Sequence, residues 1–138
     1  MIKITDKQII SAVHNSMYHQ WKQRGYATPV DTLMDCKVLY KKAYEDWRFG
    51  RVPYLERVCT VNLKKLSFIL HQMRVYAGRS GWKESFCFYK QWGMKGNSRK
   101  LQFSKSGNEN IERQYATHFV DKEKVQQIKM ETVSKTAV

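Results

Sequence analysis

Apolar residues in the first part of the chain recur every four positions: Ile9, Val13, Met17 and Trp21 fall on one side of a helix, with polar residues between them. Thr5 with Gln8 three residues on makes a capping box at its start, and Ile4 and Ile9 stand where a hydrophobic staple closes. Gly25, after Lys22 and Arg24, marks its end. Thr28 before Pro29 caps a second helix, with Asp31 at the positive end of its dipole. Val30, Leu33, Met34, Val38, Tyr40, Tyr44 and Trp47 supply its apolar side as far as Gly50. Pro53 opens a short third helix carrying Tyr54, Leu55 and Val58. Asn62 caps a fourth, whose buried stripe is Leu63, Leu66, Ile69, Leu70, Met73 and Tyr76 and whose end is Gly78.

Beyond that glycine the period changes to two. Phe86, Phe88 and Trp92 share one strand face, which predicts their burial and leaves Tyr89 as the one ring free to stack on a ligand. Leu101 and Phe103 share a face of a second strand, and "GMKGNS" lies between the two. This predicts one antiparallel β-hairpin within residues 85–105, then a helix from about Asn108 through "IERQYATHF". A further helix through Val125 and Ile128 ends in a frayed tail. The expected fold class is α+β, mainly helical: one globular domain over residues 1–120, with a C-terminal helix or frayed tail over 121–138.

Composition agrees with a folded chain. The 138 residues are 42% hydrophobic and 13% aromatic, enough for a core without metal or disulfide support. Charge narrows the choice of partner. There are 25 Lys and Arg against 12 Asp and Glu, a net +13, and between Arg57 and Asn108 Glu84 is the one acid among eleven basic residues. Such a field attracts polyanions. No apolar run approaches the roughly 20 residues needed to span a membrane, so no membrane partner is expected. Cys36, Cys59 and Cys87 are isolated, with no CxxC pair, which argues against a disulfide framework and a zinc site and for a reducing, cytoplasmic location. No signal peptide is visible before the first helix, and no cofactor is implied.

The order of helix, short helix, amphipathic helix and basic hairpin resembles a winged helix-turn-helix in outline. That resemblance implies a reading helix offering Lys64, Lys65, Ser67, His71 and Arg74, and a wing offering Lys95, Arg99, Lys100 and Lys105. In "FSKSGNENIE", Ser104, Ser106 and Gly107 precede a helix N-terminus, where backbone amides can hold a phosphate. The expected function is non-catalytic nucleic-acid binding, with DNA ahead of RNA. The alternative is a protein-interaction module docking on an acidic partner. An enzyme acting on phosphate esters comes third: His14 and His19 are five apart and do not share a helical face, and His71 with His118 can act as base and acid only if the fold brings them together. Neither HExxH, GxxxxGK[ST] nor GxGxxG occurs.

Overall fold

The computed structural model describes residues 4–96 and 99–136. Helix α1 spans Asp6–Arg24 and opens on the full capping box, Thr5 accepting from the Gln8 amide while the Gln8 side chain accepts from the Thr5 amide. It closes at Gly25, whose φ of 83° is left-handed, and a Cβ there would meet the Val125 backbone nitrogen at 2.7 Å. Only glycine fits that turn.

The predicted second helix is two. Helix α2 covers Pro29–Asp35, and α3 covers Lys41–Arg48. Between them Lys37 has a φ of 61°, Val38 and Leu39 are buried, and the Val38 carbonyl accepts from the Thr60 amide at 2.8 Å. A continuous helix would use that carbonyl itself. No Gly or Pro marks the break, so the cause is tertiary: burial of two adjacent apolar side chains against the turn at residue 60. A 3-10 turn follows at Leu55–Val58, and α4 spans Leu63–Ser80, capped by Asn62 and stopped by Gly81 rather than Gly78.

The β structure departs furthest from the expectation. A three-stranded antiparallel sheet, ordered β1-β3-β2, is formed by β1 Tyr26–Ala27, β2 Lys83–Phe86 and β3 Thr117–Val120. Segment 83–86 therefore pairs with "THFV", not with residues 101–103, in the register Glu84 to Phe119 and Ser85 to His118. Helix α5 is short, Glu109–Ala116, because the alternating burial of Thr117 to Val120 turns the chain into a strand. What remains of the predicted hairpin is one antiparallel bridge, Lys90 to Lys100, flanked by Gln91 amide to Arg99 carbonyl and Leu101 amide to Tyr89 carbonyl, both 2.8 Å. Asn97 and Ser98 of its turn lie outside the described residues. The chain is thus α+β and mainly helical, with a small antiparallel sheet.

Helices α1 and α4 pack along Ile9, Val13 and Met17 against Leu66, Ile69, Leu70 and Met73. Helix α6, Lys122–Thr136, returns to α1, where the Trp21 indole donates to Asp121 at 2.9 Å and Lys124 sits over its ring. At the other end of the core Trp47 is fully buried. Its indole donates to the Gln102 carbonyl at 2.8 Å, and its ring meets Phe103, Tyr89 and Tyr44 at 5.2, 5.6 and 6.2 Å.

Trp47→Ala should lower the unfolding free energy by about 3–5 kcal/mol, read as a lower urea midpoint at unchanged slope. Trp47→Phe keeps most of the ring volume but abandons the Gln102 carbonyl, and should fall between that variant and the parent.

Candidate functional site

The residues of the expected reading helix do share a face. Lys64, Lys65, Ser67, His71 and Arg74 line a shallow hollow on α4 together with Asn62 and Asp6. The hollow is not purely basic, because Asp6 holds the Lys65 ammonium at 3.0 Å. Lys95, Arg99, Lys100 and Lys105 are exposed on the segment pinned by Trp47, and the Lys105 amide donates to Glu56 at 2.9 Å.

Several donors of the expected phosphate seat are used within the chain. The buried Glu112 carboxylate accepts from the Phe103 amide at 2.8 Å, the Ser104 amide at 2.7 Å and the Ser104 hydroxyl at 2.6 Å. The Gly107 amide donates to Ser104 Oγ, the Asn108 amide donates to Ser106 Oγ, and Asn108 caps α5. The Ser104 amide and hydroxyl and the Gly107 amide thus already donate within the chain, and Ser106 Oγ accepts from Asn108.

The ring assignments are reversed. Phe86, Phe88 and Trp92, expected inside, are 52%, 37% and 37% exposed, whereas Tyr89 is packed against the core. Segment 87–92 runs along the surface as a connection, so the two-residue period does not sort its side chains into core and solvent. Each exposed ring carries a cation: Lys100 Nζ lies 3.7 Å from the Phe88 centroid, the Arg48 guanidinium 4.5 Å from Trp92, and that of Arg113 5.4 Å from Phe86.

Beside these rings lies a cleft of about 400 Å³, lined by Arg24, Tyr26, Thr28, Asp31, Arg48 and His118 and closed by residues 87–90. Its floor is the outer face of the sheet, where the Tyr26 and His118 rings are parallel at 6.3 Å while Ala27 and Phe119 point to the core. One wall is fixed by a buried amide. Gln20 accepts from the Thr28 amide and from Arg24 at 2.9 and 2.7 Å, and donates to Ser16 and Thr32, both at 2.9 Å. Arg24 also pairs with Asp31 at 2.7 Å and lies over Tyr26. Arg48 forms the other wall, its guanidinium over Tyr89 and Trp92. Its Nε is buried with no hydrogen-bond partner, at a cost of about 1–3 kcal/mol for an unmade buried bond. Three cations, Arg24, Arg48 and Lys90, thus face one carboxylate, and among the described residues neither Arg48 nor Lys90 has an ion-pair partner.

Burial first, and Arg24 second, push the His118 imidazole below its ordinary value, with Asp31 acting weakly in the other direction. The Tyr89 hydroxyl lies 3.4 Å from His118 Nε2, and burial raises that phenol well above its usual range. His118 is therefore a neutral imidazole at pH 7. His71 lines the α4 hollow and His118 the cleft, so the two do not share a site. All three cysteines are free; burial pushes Cys36 up to about 11 and Cys59 up to about 12, which leaves neither a ready nucleophile. Among the described residues no group of three or more His, Cys, Asp and Glu could hold a metal, and no helix is long and apolar enough to cross a membrane.

Comparison with family models, with curated proteins and with solved structures returns no match. The chemistry of these surfaces therefore carries the functional reading. The sequence pattern gave no sign of Arg24, Tyr26, Asp31, Arg48 and Lys90 as a group, because they come from three separate stretches, 24–31, 48 and 90, and no local spacing links those stretches.

A depressed His118 implies an acid-side loss of stability. As pH falls through its ordinary 6.5 the unfolded chain takes up the proton first, so stability declines until the folded-state value is passed, and it is fully present above 6.5. His118→Gln should flatten this part of the profile, measured as urea unfolding free energy between about pH 5 and 8.

Proposed function

We propose that this protein binds nucleic acid without catalysis, and that it holds unpaired strands on the face bearing Phe86, Phe88 and Trp92. The observation that carries this reading is the pairing of each exposed ring with Lys100, Arg48 or Arg113. Bases offer a π-face to such rings whatever their identity, while the adjacent cations meet the phosphates. Lys95, Arg99 and Lys105 extend the positive charge along the same segment, and the net +13 supplies the long-range attraction.

A second reading follows from the α4 hollow. Lys64, Ser67, His71 and Arg74 on one helical face suit a groove reader in a winged-helix-like arrangement on duplex DNA. The Asp6 carboxylate within that hollow repels a phosphate backbone, and this ranks the duplex reading behind the single strand.

Fluorescence anisotropy with single-stranded DNA, single-stranded RNA and duplex DNA at two salt concentrations tests both. Single strands should bind tighter than duplex, with affinity falling steeply as salt rises. Phe88→Ala should cost about 1–3 kcal/mol on a single strand. Arg99→Ala with Lys100→Ala should weaken binding equally on all sequences and reduce the salt slope. A change in sequence preference on duplex with Lys64→Ala, Ser67→Ala or His71→Ala would favour the α4 reader. No binding to any of the three at low salt overturns the proposal, and a partner protein retained after nuclease treatment would then place the basic face on an acidic protein.

A further inference from the structure

We propose that the cleft between Arg24, Arg48 and His118 is a seat for the phosphate group of a nucleotide. Three observations converge on it. Arg48 lines the cleft without an ion-pair partner among the described residues, and its Nε, sealed from solvent, has no hydrogen-bond partner among them either, so the positive charge beside the cleft is not satisfied by the protein. Lys90 lines the same cleft without an ion-pair partner among the described residues, and Arg24 stands there already fixed by Gln20 and Asp31. Four rings also line it, Tyr26 and His118 on the floor, Tyr89 behind and Phe88 at the exposed rim, beside Thr28, Asp31 and Cys87. Guanidinium groups recognise phosphate oxygens through paired N–H donors, and a rim ring gives the attached base a surface to lie on.

The groups are held before any ligand arrives. Arg24 cannot swing away without breaking its bonds to Gln20, Asp31 and the Tyr26 carbonyl. Arg48 is clamped between Tyr89 and Trp92, 4.9 and 4.5 Å from their centroids. Such preorganisation lowers the entropy lost on binding. Among the described residues Asp31 is the only acid lining the cleft, and Arg24 and the Thr28 hydroxyl, at 2.7 and 2.8 Å, occupy its Oδ2. The proposal rests on the nucleic-acid reading in its choice of a nucleotide over other phosphate esters, and not in its geometry.

The test uses the full chain and follows backbone amide resonances during titration with inorganic phosphate, adenosine, adenosine 5′-monophosphate, and a single-stranded oligonucleotide with either a 5′-phosphate or a 5′-hydroxyl. Adenosine monophosphate should shift the amides of Tyr26, Tyr89, Lys90 and His118 saturably, and more tightly than phosphate or adenosine. Lys90→Ala, an exposed change that leaves the core intact, should weaken it at least fivefold, and Arg48→Gln at least tenfold. Tighter binding of the 5′-phosphorylated oligonucleotide assigns the seat to a strand end. Equal binding of the two oligonucleotides, with both weakened by Arg48→Gln and Lys90→Ala, assigns it to an internal diester. The proposal is overturned if neither phosphate nor the monophosphate moves these amides at millimolar concentration, or if Lys90→Ala and Arg48→Gln bind as the parent does. Oligonucleotide binding that survives both substitutions sinks the cleft alone, whereas monophosphate binding without any oligonucleotide binding sinks the strand reading and leaves the cleft.

Discussion

The burial of Trp47 is the contact on which the placement of the basic segment depends. Residues 87–105 contain few aliphatic side chains and carry five uncompensated cations, so they cannot fold back by hydrophobic burial alone. The indole gives them an anchor. It takes the Gln102 carbonyl and packs against Phe103 on one side and Tyr89 on the other, so both arms of the basic segment are tied to α3. The same contact sets Arg48, the next residue on α3, between Tyr89 and Trp92. One buried side chain therefore positions the basic segment and one wall of the cleft together.

Two polar tie points do for the remaining walls what Trp47 does for this one. Gln20 is buried, yet its amide makes four hydrogen bonds across α1, α2 and the turn between them, so its desolvation is compensated. Glu112 is likewise buried and closes the loop at residues 103–104 by accepting three donors. A carboxylate in that place is stabilised by directed donors rather than by a cation. It takes up the amides of Phe103 and Ser104 and the Ser104 hydroxyl, while Arg48 and Lys90 at the cleft have no ion-pair partner among the described residues.

The imbalance of charge explains why rings, as well as carboxylates, meet so many of the cations. With roughly two basic residues per acidic one, most Lys and Arg among the described residues have no ion-pair partner. Arg48 and Lys100 lie over Trp92 and Phe88 instead, while Arg24, Arg51 and Arg113 lie over Tyr26, Phe49 and Phe86 and pair with a carboxylate as well. Such contacts are weak at the surface, about 0.5–1 kcal/mol each, and they leave the charge available to an incoming anion. A ligand with both phosphates and bases can use ring and cation at once, which a purely acidic protein surface cannot.

The starts of α1, α2 and α4 and the end of α1 were legible in the sequence because capping is decided within four residues. The box at Thr5 and Gln8, the stop at Gly25, the cap at Thr28 before Pro29 and the cap at Asn62 all stand where local chemistry put them. So was the buried stripe of α4, apart from Leu63, which stays exposed at its first turn. The break at Lys37, the partner of strand 83–86 and the exposure of Phe86, Phe88 and Trp92 were not legible. Each is settled by segments distant in the chain: Val38 by Thr60, β2 by β3, the rings by what already fills the space beneath them. The basic character of the middle of the chain could be counted from the sequence. The cleft could not, because Arg24, Arg48, Lys90 and His118 follow no common period, and only the packing of α1, α3 and the sheet brings their charges to one place.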